Sequence, residues 1–223
     1  MALDHQTAKA PVTGWQRDLV LFLDRQIYRF SRHWLAVFNL FIGIYVLLPI
    51  LAPVLMAIGQ PQAGGLIYTL YRPACHQLPE RSFFLFGPRA VYSVDELKGL
   101  GLLPKPDDPL ARREFYGTPE VGYKMALCER DIALYGGFAV AGLAFGLVRK
   151  RLRPLSFLLY GLSLLPMAID GGTQLLMLRE SNWWLRLTTG VLAGISTVWL
   201  LYPYLEPAFA DIRRQANGRV HLD

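Results

Sequence analysis

Charged residues are scarce in this sequence, and their scarcity excludes most soluble classes of protein. Asp, Glu, Lys and Arg make up 18% of the 223 residues, whereas 53% are hydrophobic. An ordinary soluble domain carries about a quarter charged residues. The two cysteines are too few for a disulfide-dense secreted scaffold, and the apolar content excludes a disordered chain. The composition therefore indicates a membrane protein.

The basic residues are not arranged for nucleic-acid binding, although the net charge is +6. Such binding needs Lys and Arg clustered on one face or stripe. Here they flank apolar runs instead, as at residues 149–153. We therefore expect no nucleic-acid partner. Residues 1–14 lack a short apolar core followed by a cleavage site, so we also expect no signal peptide.

Four apolar runs are long enough to cross a bilayer, whose core needs about 20 helical residues. The predicted spans are residues 34–58, 131–149, 154–178 and 185–205. Pro49 and Pro53 lie inside the first span and are expected to kink it. A soluble bundle with buried core helices is excluded, because four such runs leave too little polar surface. The sequence predicts an all-α membrane protein with four transmembrane helices.

The N-terminal segment, residues 1–33, reads as a cytoplasmic tail with an amphipathic helix. Apolar side chains recur at helical spacing beside arginines, at Leu19, Phe22, Leu23, Ile27 and Phe30. This pattern is typical of a helix lying in the membrane interface. A packed cytoplasmic helix is the alternative.

Positive charge at the ends of the spans predicts their orientation. Cytoplasmic loops carry an excess of Lys and Arg. The basic residues concentrate in three segments: the N-terminal flank (Arg17, Arg25, Arg29, Arg32), the link at 149–153, and the tail at 206–223 (Arg213, Arg214, Arg219). We therefore expect both termini in the cytoplasm. Residues 59–130 then form an extracytoplasmic cap.

This orientation gathers polar residues from three stretches of the chain at the outer side. They are Cys75, His76, Gln77, Arg81, Cys128, Arg130, Asp170, Gln174, Glu180, Asn182 and Arg186. Polar residues that are dispersed in sequence and brought together by topology are typical of a binding site. An ordinary wet membrane interface is the alternative.

Cys75 and Cys128 allow three interpretations. Thiols on an extracytoplasmic face tend to be oxidised, which predicts a disulfide that ties the cap to the second span. A redox-active pair is disfavoured, because such pairs are normally closely spaced. A zinc site is the third interpretation, using Cys75, His76 and Cys128, with Glu129, Asp131 or Asp170 as fourth ligand. Adjacent Cys-His spacing is poor for such a site.

Asp170 and Gln174 share one helix face within the third span, near its outer end. A carboxylate there costs a few kcal/mol if it faces lipid, so it should face the bundle or water. Arg130, Arg179 and Arg186 are its expected partners. Both a structural ion pair and a ligand or proton site fit this pattern.

Two pairs of glycines have the spacing of close helix packing. They are Gly142 with Gly146 and Gly190 with Gly194. Small residues four apart let helices approach closely in a bilayer. We expect packing within the bundle, with homo-oligomerisation as the alternative.

Three blocks of this sequence resemble a known family. They are Cys-His-Gln at 75–77, Cys-x-Arg with a following Tyr-x-Gly at 128–137, and Asp-Gly-x-x-Gln at 170–174. Together they resemble a prokaryotic integral membrane family called domain of unknown function 2085. The resemblance covers about residues 66–194 and implies a multi-pass protein of a prokaryotic cell membrane. It implies no activity.

Two functions remain open. The first is a non-enzymatic membrane protein whose outer polar site binds a small or lipid-like ligand, or which serves as a subunit of a membrane complex. The second is a metal- or thiol-dependent membrane enzyme using Cys75, His76, Cys128 and Asp170. The sequence lacks a serine-nucleophile elbow, a zinc-protease pair and a phosphate loop. This absence favours the first function.

Overall fold

A computed structural model describes residues 14–103 and 105–220, which are mostly helical. The helices are α1 (Trp15–Ala57), α2 (Pro61–Tyr71), α3 (Val94–Gly99), α4 (Pro109–Arg113), α5 (Glu129–Val148), α6 (Phe157–Leu175) and α7 (Trp183–Val220). Three short strands are β1 (Phe84–Leu85), β2 (Gly117–Thr118) and β3 (Gly122–Lys124). Parts of the predicted tails, residues 1–13 and 221–223, lie outside the described residues.

Helix α1 joins two elements that the sequence predicted separately. It continues without a break across residue 33, where the amphipathic segment was expected to end. The physical reason is local, because no proline or glycine lies between Trp15 and His33 or close after it to end a helix. Residue 33 is therefore not a helix end, and the interfacial position of residues 15–33 stays a prediction.

Prolines inside α1 and α7 free backbone carbonyls, and other parts of the chain bind them. A proline has no N–H for the carbonyl four residues earlier. Pro49 thus frees the carbonyl of Tyr45, which accepts from the Tyr71 hydroxyl at 2.8 Å. Pro53 likewise frees the carbonyl of Pro49, and this carbonyl accepts a hydrogen bond from the Ala126 amide at 3.2 Å.

A proline in α7 also frees a backbone carbonyl that another segment of the chain binds. Pro203 frees the carbonyl of Trp199, which accepts from the Leu155 amide at 3.3 Å. These carbonyls therefore hold neighbouring segments against the long helices.

Three helices of the described chain are long and apolar enough to cross a membrane: α1, α5 and α7. Helix α6 occupies the predicted third span but is not among them. Its second half carries Asp170, two glycines, Thr173 and Gln174, which lower its hydropathy. The count of four transmembrane helices therefore stays a prediction.

Helices α5 and α7 pack closely through glycines. A Cβ atom on Gly194 would lie 2.1 Å from the Leu134 carbonyl oxygen, and one on Gly137 would lie 2.8 Å from that of Val191. Gly190 is similarly close to the backbone of Arg130. The expected packing role of the Gly190–Gly194 pair within the chain is confirmed.

Residues 59–128 contain a small sheet that the all-α prediction missed. Strand β3 lies between β1 and β2, antiparallel to both, with Phe84 opposite Lys124. The strands are too short to show an alternating pattern in the sequence. Gly122, at a φ of 82°, allows the tight return between β2 and β3.

This segment has two apolar clusters. Phe84, Tyr92, Leu97, Leu103 and Val121 form the first. The second joins α2 to α1 and to the start of α5, and consists of Ala52, Ile67, Tyr68, Tyr71, Cys75, Ala126 and Leu127. Helix α3 begins at a capping box, in which Ser93 and Glu96 bind each other's backbone amides. The segment is therefore packed rather than an open loop.

The chain divides into two compact units, residues 38–204 and a smaller unit made by residues up to 37 and from 205 onward. In the smaller unit, Trp34 stacks on Phe209 with 5.2 Å between ring centroids. The Trp34 indole N–H donates to Glu206 at 3.2 Å. Arg213 donates to the Ser31 carbonyl at 2.6 Å. All candidate site residues lie in the larger unit.

Candidate functional site

Asp170 is the centre of a buried ion-pair network near the end of α6. Its side chain is 1% exposed and accepts three hydrogen bonds. The donors are Arg130 at 2.5 Å, Arg179 at 2.7 Å and the Ser181 hydroxyl at 2.9 Å. Two guanidinium groups on one carboxylate compensate for the water lost on burial.

The contacts of Arg130 give a structural reason for the spacing of the Asp-Gly-x-x-Gln block. The same Nη2 that binds Asp170 donates to the Gln174 Oε1 at 3.2 Å. A Cβ atom on Gly171 would lie 3.1 Å from Arg130 Nη1. The aspartate and glutamine therefore hold the guanidinium from one helix face, and the glycine leaves room for it to cross.

A second buried ion pair lies between α5 and α7. Glu129 accepts from Arg186 at 2.9 Å, and both side chains are buried. Arg186 also donates to the Ser181 carbonyl at 2.6 Å. Ser181 therefore connects this pair to Asp170 in one network. The sequence reasoning missed this partner of Glu129, although a glutamate at the head of an apolar helix signals a need for a cation.

A pocket of about 780 Å³, lined in part by Glu129 and Arg186, lies next to this ion pair. Its charged lining comprises Glu80, Arg81, Arg89, Asp95, Glu96, Arg112, Glu129, Glu180 and Arg186. Tyr92, Val91, Val94 and Trp183 contribute apolar surface, and Ser181 and Asn182 lie at its base. The volume is in the range of sites that bind drug-sized molecules, about 300–1,000 Å³.

Five buried polar atoms that have no hydrogen-bond partner among the described residues belong to side chains that line this pocket. They are Glu80 Oε2, Tyr92 OH, and the Nε atoms of Arg81, Arg112 and Arg186. Buried polar groups are nearly always paired. Similar atoms occur on residues outside the lining, among them Gln77, Arg113 and Gln174, so they are not confined to the pocket.

Ion pairs hold the charged lining in place. Arg112 donates to Glu80 at 3.0 Å, and both side chains are largely buried. Glu180 lies 3.8 Å from Arg81 and 3.9 Å from Arg186. The Asn182 side chain accepts from the Leu185 amide at 2.8 Å and so caps the start of α7.

The cysteines are free, so the predicted disulfide between Cys75 and Cys128 is wrong. The Cys75 sulfur instead accepts a hydrogen bond from the Cys128 backbone amide at 3.2 Å. A hydrogen bond from the Cys128 thiol lowers the pKa of Cys75. The same bond and burial raise the pKa of Cys128 well above its usual range.

Asp131, in the first turn of α5, completes a group with these thiols. The two sulfurs and one carboxylate oxygen of Asp131 all lie within 4.8 Å of one another. His76 is exposed and lies outside this group. Gln77 is buried and donates to the carbonyls of Tyr68 and Ala126 at 2.8 and 3.0 Å, which makes it a structural support.

Nine of the eleven predicted site residues fall in three places, whereas His76 and Gln77 belong to none of them. Arg130, Asp170 and Gln174 belong to the network, whereas Arg81, Glu180, Asn182 and Arg186 line the pocket. Cys75 and Cys128 form the thiol group with Asp131. Glu129 and Ser181 belong to both the network and the pocket lining.

Lys124 is a buried cation that the sequence reasoning missed. Its side chain is 0% exposed, and Nζ donates to the carbonyls of Gln77 at 2.6 Å and Arg113 at 2.7 Å. Burial lowers the pKa of Lys124 from 10.5 to about 7. A single lysine in a short strand gives no sequence signal of burial.

Long apolar helices around a buried charge network define a helical membrane protein. Residues 119–200 match the family described as "Predicted membrane protein (DUF2085)". The chain is also 30% identical over 141 residues to an uncharacterized protein of Methanocaldococcus jannaschii, covering 61% of this chain and 67% of that relative. No solved structure matches. The chain belongs to this family of membrane proteins, which confirms the resemblance.

Proposed function

We propose that this protein binds an amphiphilic ligand with a zwitterionic phosphate headgroup in the pocket beside Glu129 and Arg186. The observation that carries the proposal is the lining of one pocket by both carboxylate side chains and arginines, beside apolar surface. A ligand that supplies both acceptors and a donor would pair with both kinds of charged side chain.

The charges of the lining select the headgroup. Arginine nitrogens and the Tyr92 hydroxyl are donors that suit a phosphate. The Glu80 oxygen is an acceptor that suits an ammonium group. Because the lining contains both arginines and carboxylates, a ligand with both charges fits better than a purely anionic one. Val91, Val94 and Trp183 offer apolar contact for the start of an acyl chain.

The expected topology supports a lipid as the ligand. If α6 spans the membrane as the fourth helix, the arginine-rich 149–153 link lies inside and the pocket lies at the outer end of the bundle. Trp183 and Trp184 stack at the start of α7, with ring centroids 4.4 Å apart. Tryptophan is enriched where headgroups meet the hydrocarbon, so the pocket would lie at headgroup depth in the outer leaflet.

Native mass spectrometry of the full chain in detergent tests the proposal with three lipids. Phosphatidylethanolamine carries both charges, phosphatidylglycerol carries the phosphate alone, and diacylglycerol carries neither. We expect phosphatidylethanolamine to be retained most strongly, followed by phosphatidylglycerol. Equal retention of all three lipids would contradict the proposal.

Two tyrosine variants test whether the lipid binds in this pocket. Tyr92→Phe removes only the unpartnered hydroxyl, so we expect about tenfold weaker retention, as for loss of a hydrogen bond to a charged group. Tyr204→Phe is the matched control, because Tyr204 is half exposed on α7 and does not line the pocket. Equal lipid retention by the two variants would place the lipid elsewhere.

A further inference from the structure

The thiol group is separate from the proposed lipid pocket. Its members come from the loop after α2 (Cys75), the residue before α5 (Cys128) and the first turn of α5 (Asp131). None of the three lines the pocket. Cys75 is buried, whereas Cys128 and Asp131 are partly exposed.

We propose that Cys75, Cys128 and Asp131 bind a zinc-like divalent cation, with one coordination position left open. Two sulfurs and a carboxylate oxygen form a ligand set that suits zinc. In a tetrahedral site with Zn–S bonds of about 2.3 Å, neighbouring ligand atoms are roughly 3.8 Å apart. The three ligand atoms already lie within 4.8 Å of one another, so small side-chain rotations complete the geometry.

The backbone holds the ligands in place before a metal arrives. Cys128 is the N-cap residue of α5, and Asp131 lies three residues later, on the same helix face. The Cys128 amide donates to the Cys75 sulfur at 3.2 Å, which fixes the position of the more buried ligand.

A divalent cation balances most of the charge of the three ligands. Two thiolates and a carboxylate carry three negative charges, of which a divalent cation neutralises two. Binding replaces each S–H bond with a metal–sulfur bond and releases that proton to solvent, with no change of oxidation state.

The test uses the reduced full-length protein in detergent, with Co²⁺ as a spectroscopic probe and Zn²⁺ as competitor. We expect one Co²⁺ per chain, a sulfur-to-cobalt charge-transfer band, and loss of that band on adding Zn²⁺. Cys75→Ser and Cys128→Ser should lose the band. Asp131→Asn should weaken binding by more than the roughly tenfold that loss of a supporting outer partner costs.

His76→Ala is the matched control, because His76 adjoins Cys75 yet is exposed and outside the group. Its Co²⁺ affinity should equal that of the unsubstituted chain. The proposal is overturned if the reduced protein shows no charge-transfer band. It is also overturned if His76→Ala abolishes the band while Asp131→Asn leaves it intact.

A second measurement keeps the proposal falsifiable if the serine variants fail to fold. In the unsubstituted protein, Zn²⁺ should slow alkylation of both thiols, and a chelator should restore the rate. An alkylation rate that Zn²⁺ does not change would contradict metal binding at Cys75 and Cys128.

Discussion

Lys124 shows most clearly how a single residue sets a property of this protein. An ammonium group in a buried site loses its water, and here two backbone carbonyls replace it. A carbonyl also accepts from a neutral amine, so these two hydrogen bonds do not require the charged form. Burial therefore dominates, and the pKa of Lys124 falls to about 7.

This shift predicts how stability depends on pH. Between about pH 7 and 10.5 the unfolded chain holds a proton on Lys124 that the folded chain has released. Raising the pH through this window therefore stabilises the folded state, by up to about 1.4 kcal/mol per pH unit. Below pH 7 both states bind the proton and this dependence disappears.

Thermal unfolding in detergent across this pH window measures the effect. Lys124→Met should show a smaller rise of the melting temperature with pH than the unsubstituted protein does. Lys105→Met removes an exposed lysine and should keep the full rise. Identical pH profiles for all three proteins would show that Lys124 is protonated in the folded state.

At the scale of single residues, the sequence predicted which charged groups must pair better than it predicted which residues are buried. A carboxylate in an apolar span must find a cation, and Asp170 does bind Arg130 and Arg179. The sequence did not predict the burial of Lys124, because this residue lies in a strand of only three residues, between polar and apolar neighbours. The disulfide prediction failed because compartment alone does not bring two sulfurs into bonding geometry.

At the scale of elements, glycines set the distance between α5 and α7. Gly194 and Gly137 face backbone atoms of the opposite helix with no room for a Cβ atom. This close approach brings Glu129 and Arg186 into contact across the two helices. Helix packing and the polar site are therefore coupled.

Two glycine substitutions separate packing from helix propensity. Gly194→Ala would place a methyl group 2.1 Å from the Leu134 carbonyl oxygen, so we expect a loss of about 1–3 kcal/mol from overpacking. Gly136→Ala meets nothing within 4 Å and should be neutral or stabilising, by up to about 1 kcal/mol, because alanine favours helix.

Thermal unfolding of both variants in the same detergent provides the comparison. The account predicts a lower melting temperature for Gly194→Ala and an unchanged or higher one for Gly136→Ala. Equal melting temperatures would mean that α5 and α7 do not approach as closely as the glycines allow.

The sequence predicted the long helices but not the short elements or the helix ends. Apolar runs identify α5 and α7 directly, whereas strands of two or three residues leave no periodic signal. Prolines show which carbonyls are freed in α1. They do not show that the Tyr71 hydroxyl and the Ala126 amide would bind them, because those donors come from distant segments.

At the scale of the whole molecule, the proposed position of the pocket depends on the orientation of the chain in the membrane. The sequence predicts that its arginine-rich flanks lie inside, so that residues 59–130 lie outside. In the structure a network joins α5, α6 and α7 beside a pocket lined by charged side chains, and our proposal places this pocket on the outer side. If the orientation were reversed, the pocket would face the cytoplasm.

Labelling of single introduced cysteines in intact cells tests this orientation most directly. Lys105→Cys lies in the proposed outer segment and Lys150→Cys in the proposed inner link, and both positions are exposed. The unsubstituted chain gives the background labelling from Cys75 and Cys128. A membrane-impermeant maleimide should label Lys105→Cys in intact cells and Lys150→Cys only after lysis. Labelling of Lys150→Cys in intact cells, with Lys105→Cys protected until lysis, would contradict the account.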